Sequence, residues 1–159
     1  MTTRSGIGFD VHPLVEGRPL TLGGVSVPFE RGLSGHSDGD VLTHAVIDAL
    51  LGGGGLGDMG VHFPSSDPKY EGVASTHLLG ETVHLLAANG WQATYVDATI
   101  LAERPVLSPF MDQIKQNLAT HLNVDFRLLN IKAKTTDGLG FLGRGEGVAA
   151  LSIVTLEPA

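Results

Sequence analysis

The stretch Arg4-Ser5-Gly6-Ile7-Gly8-Phe9-Asp10-Val11-His12 predicts a β-strand at the start of the chain. After it, residues 19–29 hold two short apolar runs divided by Gly23-Gly24, which is typical of a two-residue hairpin turn. The pattern then predicts helices from 38 to the glycines at 52–55, at 75–89 and at 108–122, and strands at 91–101, 128–134 and 148–156. This order favours an α+β fold, with helices packed on one face of a mixed β-sheet and an N-terminal β-hairpin.

Three local signals refine this outline. The segment 57–72 holds Gly, Pro, Ser and Asp at close intervals and predicts a long irregular loop, which is usually functional. Ser108-Pro109 has the sequence of an N-cap followed by the first helical residue. The glycine-dense segment 138–147 predicts a turn between the last two strands.

The composition limits the classes of protein that this chain can belong to. With 159 residues, 42% of them hydrophobic, we expect one domain spanning 1–159. The absence of cysteine excludes disulfides and thiolate metal sites, so any metal must bind to His and carboxylate. A formal net charge of -7 makes nucleic acid an unsuitable partner. Neither a leader sequence nor an apolar run of about 20 residues is evident, so we expect a cytoplasmic protein without a membrane partner.

Asp10 and His12 are two residues apart on the first strand, so their side chains leave the same face. A catalytic zinc-type site needs three protein ligands, and His44 on the following helix is the best third candidate. Asp48 lies one helical turn later and could orient an imidazole. The alternative is a strand-end turn beside a half-buried histidine, and spacing alone does not decide between the two.

Two further segments could bind phosphate. Residues 34–40, Ser-Gly-His-Ser-Asp-Gly-Asp, crowd polar groups at a helix N-terminus, although a simple capping sequence is the favoured interpretation. Residues 132–137, Lys-Ala-Lys-Thr-Thr-Asp, lead into the glycine-rich segment 140–147 and could hold a polyphosphate with a hard metal. A tight β-connection with a surface ion pair from Arg144 to Glu146 explains the second segment equally well.

Two motifs are rejected on their context. The glycines at 52–57 satisfy G-x-G-x-x-G but follow a helix, whereas the dinucleotide-binding motif follows a strand. His77, Glu81 and His84 share one helical face opposite an apolar side, so we expect that face to be solvated.

Taken together and in order, several motifs resemble the 2-C-methyl-D-erythritol 2,4-cyclodiphosphate synthase family over nearly the whole chain. The motifs are Gly8-Phe9-Asp10-Val11-His12, His36-Ser37-Asp38-Gly39-Asp40-Val41 with His44, Gly57-Asp58-Met59-Gly60, Phe63-Pro64, and Gly140-Phe141-Leu142-Gly143-Arg144-Gly145-Glu146-Gly147. Several spaced motifs in one order are far more specific than any one alone.

The resemblance implies a homotrimeric lyase of the non-mevalonate isoprenoid pathway, with active sites between subunits. Such an enzyme converts 4-diphosphocytidyl-2-C-methyl-D-erythritol 2-phosphate to the 2,4-cyclodiphosphate and releases CMP. The implied cofactors are divalent cations, zinc together with magnesium or manganese. Asp10, His12 and His44 would hold the zinc-type ion and Asp137 the magnesium-type ion, while His36 and Thr135 would stabilise the transition state.

The resemblance also implies a set of substrate-contacting positions. Asp58 and Gly60 match the ribose-contacting segment, 63–67 a flexible flap over the methylerythritol, and 102–108 the cytosine pocket. Phe9, Arg144 and Glu146 match residues lining a central cavity that holds an isoprenoid diphosphate in some relatives. The full implied substrate set is Asp10, Val11, His12, His36, Ser37, Asp58, Met59, Gly60, Phe63, Pro64, Ser65, Ser66, Asp67, Ala102, Glu103, Arg104, Pro105, Val106, Leu107, Ser108, Lys134, Thr135, Thr136, Asp137, Phe141 and Arg144.

Three positions depart from the family pattern. Asp137 stands where the family often has Glu, Val106 where it often has Lys, and Ser65 where it often has Asp.

Two other functions remain open at this level. One is a metal phosphodiesterase, in which a metal-bound water attacks phosphorus. The other is a trimeric binding protein that holds a prenyl diphosphate and has no turnover.

Overall fold

The computed structural model describes residues 2–159 and contains a five-stranded mixed sheet, a separate two-stranded hairpin and five α-helices within that range. The strands are β1 (Arg4–Glu16), β2 (Leu20–Leu22), β3 (Val25–Val27), β4 (Arg31–Leu33), β5 (Trp91–Leu101), β6 (Leu129–Lys134) and β7 (Gly147–Pro158). The helices are α1 (Val41–Gly54), α2 (Met59–His62), α3 (Ser75–Ala88), α4 (Met111–Leu122) and α5 (Gly140–Gly143). The predicted α+β class is confirmed.

The main sheet has the strand order β4-β1-β7-β5-β6. Its two longest strands, β1 and β7, are antiparallel neighbours, with Asp10 opposite Ala150. Strand β5 is antiparallel to β7 and parallel to β6, which makes the sheet mixed. The sheet therefore places the first and last strands of the chain side by side at its centre.

The helices cover one face of this sheet. Helix α1 packs directly on β1 and β7, and its apolar side chains are fully buried between the sheet and α3. The approach of α1 to β1 is so close that a Cβ at Gly8 would lie 1.9 Å from the carbonyl oxygen of Ala45. On the opposite face of the sheet Ile7, Phe9 and Ile153 stay exposed, with Ile7 at 69% and Ile153 at 53%.

The predicted hairpin is also confirmed. Strands β2 and β3 join through Gly23 and Gly24, whose φ angles of 57° and 75° suit glycine. The fully buried carboxylate of Asp40 accepts hydrogen bonds from both glycine N–H groups, at 2.9 and 2.7 Å, and from Thr43 N at the start of α1. One side chain thus caps the helix and anchors the hairpin.

Three local predictions need correction. The segment 57–72 is not an irregular loop throughout, because it forms α2 and a 3₁₀ turn at Pro68–Tyr70. Ser108 is not an N-cap, since it begins a 3₁₀ turn, Ser108–Phe110, that runs into α4 without a side-chain cap. The glycine-rich turn at 138–147 contains α5. These short elements lack the apolar periodicity by which longer helices are predicted.

None of the helices within residues 2–159 is long and apolar enough to cross a bilayer.

Candidate metal centre and substrate site

Three potential ligand atoms converge where β1 faces α1. Asp10 Oδ2 lies 2.8 Å from His12 Nε2 and 2.9 Å from His44 Nδ1, and the two nitrogens are 3.1 Å apart. Tetrahedral zinc with bonds of about 2.0–2.1 Å needs its ligand atoms about 3.3 Å apart. In the described part of the chain, this is the one group of three or more His and carboxylate side chains arranged so that it could hold a metal ion.

Local structure explains how the sequence brings these groups together. Asp10 and His12 alternate with exposed residues on β1, so both point toward α1, as the spacing predicts. His12 Nδ1 lies 2.7 Å from the carbonyl oxygen of Ser34, which only accepts. His12 therefore donates from Nδ1, and that bond turns Nε2 toward the other two ligand atoms.

The pKa shifts agree with a site that is built for a cation. Burial alone would raise the pKa of Asp10, but hydrogen bonds from His12 and His44 hold it well below its usual range. Burial opposes the charged form of His12, yet the hydrogen bond to Asp10 raises the pKa of that imidazole above 6.5. The carboxylate is therefore ionised at neutral pH, and a metal ion would replace the proton shared with His12.

Asp48 does not orient an imidazole, contrary to the prediction. Its Oδ1 instead accepts a hydrogen bond from the backbone N–H of Met59, at 2.9 Å. Helical spacing places Asp48 one turn from His44, but the start of α2 folds back over that turn, and its backbone forms the hydrogen bond with the Asp48 carboxylate. Asp48 thus fixes the segment with Asp58, Met59 and Gly60.

A cavity of about 260 Å³ opens in front of the three ligand atoms. Besides Asp10, His12 and His44, its lining includes six other residues that the sequence analysis named or whose segment it named: His36, Ser37, Met59, Gly60, Phe63 and Ser65. Tyr70 and Leu78 also line it; neither was named as a site residue, although Tyr70 lies in the segment 57–72 that was predicted to be functional. Tyr70 is the one aromatic residue between 64 and 90, a signal that could have found it, whereas Leu78 belongs to an apolar helix face.

The predicted flap lies against His36. His36 Nε2 donates to the carbonyl oxygen of Asp67, at 3.0 Å, and its own carbonyl accepts from Gly72 N, at 2.8 Å. The rings of Phe63 and Tyr70 meet edge to face, with centroids 5.5 Å apart. This segment therefore forms one wall of the cavity.

Two residues of the segment 34–40 act as helix caps, while His36 and Ser37 of the same segment line the cavity. Asp40 caps α1, and Asp38 accepts a hydrogen bond from the backbone N–H of Ser75 at the start of α3, at 3.0 Å. The rejected helical group also stays on the surface, with His77 paired to Glu81 at 3.1 Å.

The other predicted contacts lie around a second cavity of about 240 Å³, formed by the β5–α4 connection and the end of β6. It is lined by Ala102, Glu103, Pro105, Val106, Leu107, Ser108, Ala133, Lys134 and Thr135. The carboxylate of Glu103 accepts from Thr136 N, at 3.2 Å, and from Gly138 N, at 3.0 Å. Glu103 therefore shapes the turn that carries Asp137, an exposed residue with φ of 59°.

The two cavities are far apart within one chain. The sheet register aligns Asp10 with Ala150, Ala150 with Ile100, and Ile100 with Ala133. Three strand spacings therefore separate the metal ligands from the end of β6, or about 14 Å. The structure does not bring Thr135 or Asp137 to the metal ligands of the same chain.

The residues matched to a central cavity lie on or beside the open face of the sheet. Phe9 is 52% exposed, and Arg144 and Glu146 follow directly after α5. Arg144 Nε donates to Glu146 at 2.6 Å, and both side chains are mostly exposed. The surface ion pair considered from sequence is therefore present.

The chain is similar to known proteins over almost its full length. The YgbB family model matches residues 3–157. A 2-C-methyl-D-erythritol 2,4-cyclodiphosphate synthase of Desulfatibacillum aliphaticivorans is 54% identical over 97% of this chain and 99% of its own. A 2C-methyl-D-erythritol-2,4-cyclodiphosphate synthase solved with CDP bound has a TM-score of 0.89 and 36% identity, covering 97% of this chain and 100% of that one.

A longer solved protein also matches. The bifunctional IspDF of Campylobacter jejuni has a TM-score of 0.96 and 41% identity; the match covers 99% of this chain, which spans 43% of the longer one. The shared fold, the sequence identity and the convergent Asp/His/His group all indicate the same family. This chain belongs to the YgbB family, the family of the 2-C-methyl-D-erythritol 2,4-cyclodiphosphate synthases.

Proposed function

We propose that this chain is a CMP-forming lyase that converts 4-diphosphocytidyl-2-C-methyl-D-erythritol 2-phosphate to 2-C-methyl-D-erythritol 2,4-cyclodiphosphate. An oxygen of the 2-phosphate forms a bond to the β-phosphorus. The bond from the β-phosphorus to the bridging oxygen breaks, and CMP leaves with its electron pair. The product enters the non-mevalonate isoprenoid pathway.

The convergence of Asp10, His12 and His44 in a cavity is the observation that carries this proposal. Asp10, His12 and His44 would hold a zinc-type ion, since two imidazoles and a carboxylate favour zinc, and three protein ligands would leave room for a phosphate oxygen. When bound, the ion supplies positive charge that neutralises the phosphate oxygens. His36, on the cavity wall, holds an N–H donor at Nε2 that could turn from Asp67 to a phosphate oxygen.

A homotrimer would complete this site. Within one chain, about 14 Å separates the metal ligands from the end of β6, which is wider than a diphosphate, so Thr135 does not reach a phosphate held at the metal ligands of its own chain. The exposed apolar face formed by Ile7, Phe9, Val11, Leu151 and Ile153 supports burial against other copies. In this arrangement 102–108 and Thr135 of one subunit meet the metal ligands of another.

The remaining contacts are proposed on the same basis. Asp137 would hold a magnesium or manganese ion at the diphosphate, directly or through water. The second cavity would bind cytosine, with CDP binding in the solved relative as support. Phe9, Arg144 and Glu146 would line a central cavity for an isoprenoid diphosphate.

The test is incubation of the purified chain with the cytidyl substrate and magnesium, followed by phosphorus NMR. We expect equal amounts of CMP and the cyclic diphosphate. CMP together with the uncyclised 2,4-bisphosphate, which has no P–O–P bond, would instead support the phosphodiesterase, and stoichiometric metal without any turnover would support a binding protein.

A further inference from the structure

Ser75 lies in contact with the metal-ligand group although nothing in the preceding argument uses it. It is the first residue of α3, it is fully buried, and its Oγ lies 2.7 Å from His44 Nε2. His44 Nδ1 is the atom that faces Asp10 and His12, so Nε2 is the opposite, outward ring nitrogen.

Proton counting fixes the direction of this contact. Ser75 Oγ also lies 2.5 Å from Asp38 Oδ1, and a serine hydroxyl has one proton to donate. The Asp38 carboxylate further accepts from Ser75 N at 3.0 Å and from Asp40 N at 3.1 Å, so it is surrounded by donors. The hydroxyl proton therefore goes to Asp38, and Ser75 Oγ accepts from His44 Nε2–H at 2.7 Å, while the same nitrogen also faces Ser37 Oγ at 3.0 Å.

We infer that Asp38 and Ser75 are positioning residues for the metal centre, acting through His44. With the proton held on Nε2, Nδ1 is the ring nitrogen whose lone pair would bind the metal ion, in place of the hydrogen bond that Nδ1 makes with Asp10. The relay runs from Asp38 to Ser75 to His44 and fixes both the tautomer and the ring orientation. It rests on the proposed metal site but not on the proposed reaction.

The position of Ser75 gives this relay a further role. The flap, 63–67, is followed by residues 68–74, which lead directly into α3, and Asp38 N donates to the carbonyl oxygen of Val73, at 3.1 Å. The segment between the flap and α3 is thus tied to the same residue whose carboxylate binds Ser75. A displacement of this segment would therefore shift Ser75 and, through it, His44.

The test compares zinc affinity in Ser75→Ala with that in a matched control, Thr82→Val. Thr82 is equally buried on α3, and its hydroxyl donates only to the carbonyl of Leu78. Competition with a chromophoric chelator should show a zinc Kd raised about 10-fold or more in Ser75→Ala and unchanged in Thr82→Val. Thermal melting of both metal-free variants separates this effect from a general loss of stability.

A second measurement uses nitrogen-15 NMR of the zinc-loaded wild-type protein. We expect a slowly exchanging proton on His44 Nε2, and we expect this signal to exchange faster in Ser75→Ala. An unchanged zinc Kd in Ser75→Ala, or a Kd that rises equally in Thr82→Val, would overturn the inference. If zinc affinity falls as expected but no CMP is formed by the wild type, the relay stands and the proposed reaction fails.

Discussion

The two halves of the proposed active site differ in how they are held. Asp10, His12 and His44 are half-buried or buried, and each contacts the other two within 3.1 Å. Thr135 and Asp137 are exposed, and the turn that carries them is shaped by Glu103. The comparison indicates that the metal half is organised within one chain, whereas the other half would gain its partners from a second copy in the proposed trimer.

The largest effect should come from breaking the metal half. His44→Ala removes one of the three ligands, so we expect loss of tightly bound zinc and a fall in turnover of about 1,000-fold or more. His44 is buried on α1 and lies outside the exposed apolar face of the sheet, so sedimentation should still show the wild-type oligomer. The matched control is His84→Ala, an exposed histidine on α3. Full zinc occupancy of the His44 variant by elemental analysis would contradict the ligand assignment.

Mixing two inactive variants tests whether the halves come from different chains. In mixed trimers of His44→Ala and Thr135→Ala, about one quarter of the sites combine two intact halves, so about one quarter of wild-type activity should return. Mixtures of His44→Ala with Asp10→Ala serve as the control, because both defects lie in the same half and should stay inactive. No recovery in the first mixture would place the complete site within one chain.

Asp137 decides whether the exposed half holds a metal or only shapes a turn. Its φ of 59° is tolerated by Asn, so Asp137→Asn removes charge without backbone strain. We expect this variant to need several-fold more magnesium for half-maximal rate, and Asp137→Glu to need less, because the longer side chain reaches the diphosphate. Magnesium titrations measure both. An unchanged dependence in Asp137→Asn would show that the residue only shapes the turn.

The smallest effect concerns stability where β5 meets β6. A hydrogen bond from Lys132 to Asp97, at 2.7 Å, lowers the pKa of that carboxyl below 3.8. The stabilisation is therefore present above pH 3.8 and is lost as pH falls through the lower, folded-state pKa. Asp97→Asn should cost less than about 1 kcal/mol at neutral pH, and the difference should vanish in strong acid. Thermal melts of both proteins across that pH range measure this difference in stability. A difference that grows as the pH falls would contradict the prediction.

Sequence patterns predicted the parts of this fold that depend on local chemistry. The alternation of β1, the Gly23-Gly24 turn and the long helices all follow from neighbouring residues. The alternation also placed Asp10 and His12 on one face, but His44 was selected only as the best candidate on the next helix.

The missed contacts are those between residues distant in sequence. Ser75 lies 31 positions from His44, and a serine at the start of a helix is most simply a capping residue. Helical spacing predicted that Asp48 contacts His44, because the two residues are one turn apart. It could not predict that the backbone N–H of Met59 forms a hydrogen bond with the Asp48 carboxylate instead. Such competition depends on how a short helix folds back, and no periodic pattern encodes it.

The close approach of α1 to β1 at Gly8 limits the substitutions that the chain can accept there. A Cβ there would need α1, and His44 with it, to move outward by about 1 Å or more, whereas metal sites tolerate errors of about 0.2 Å. An alanine at position 8 would therefore weaken metal binding without touching a ligand. The exposed side chains at positions 7 and 9 can be exchanged without this clash, but at position 8 every residue other than glycine adds a Cβ that meets the backbone of α1.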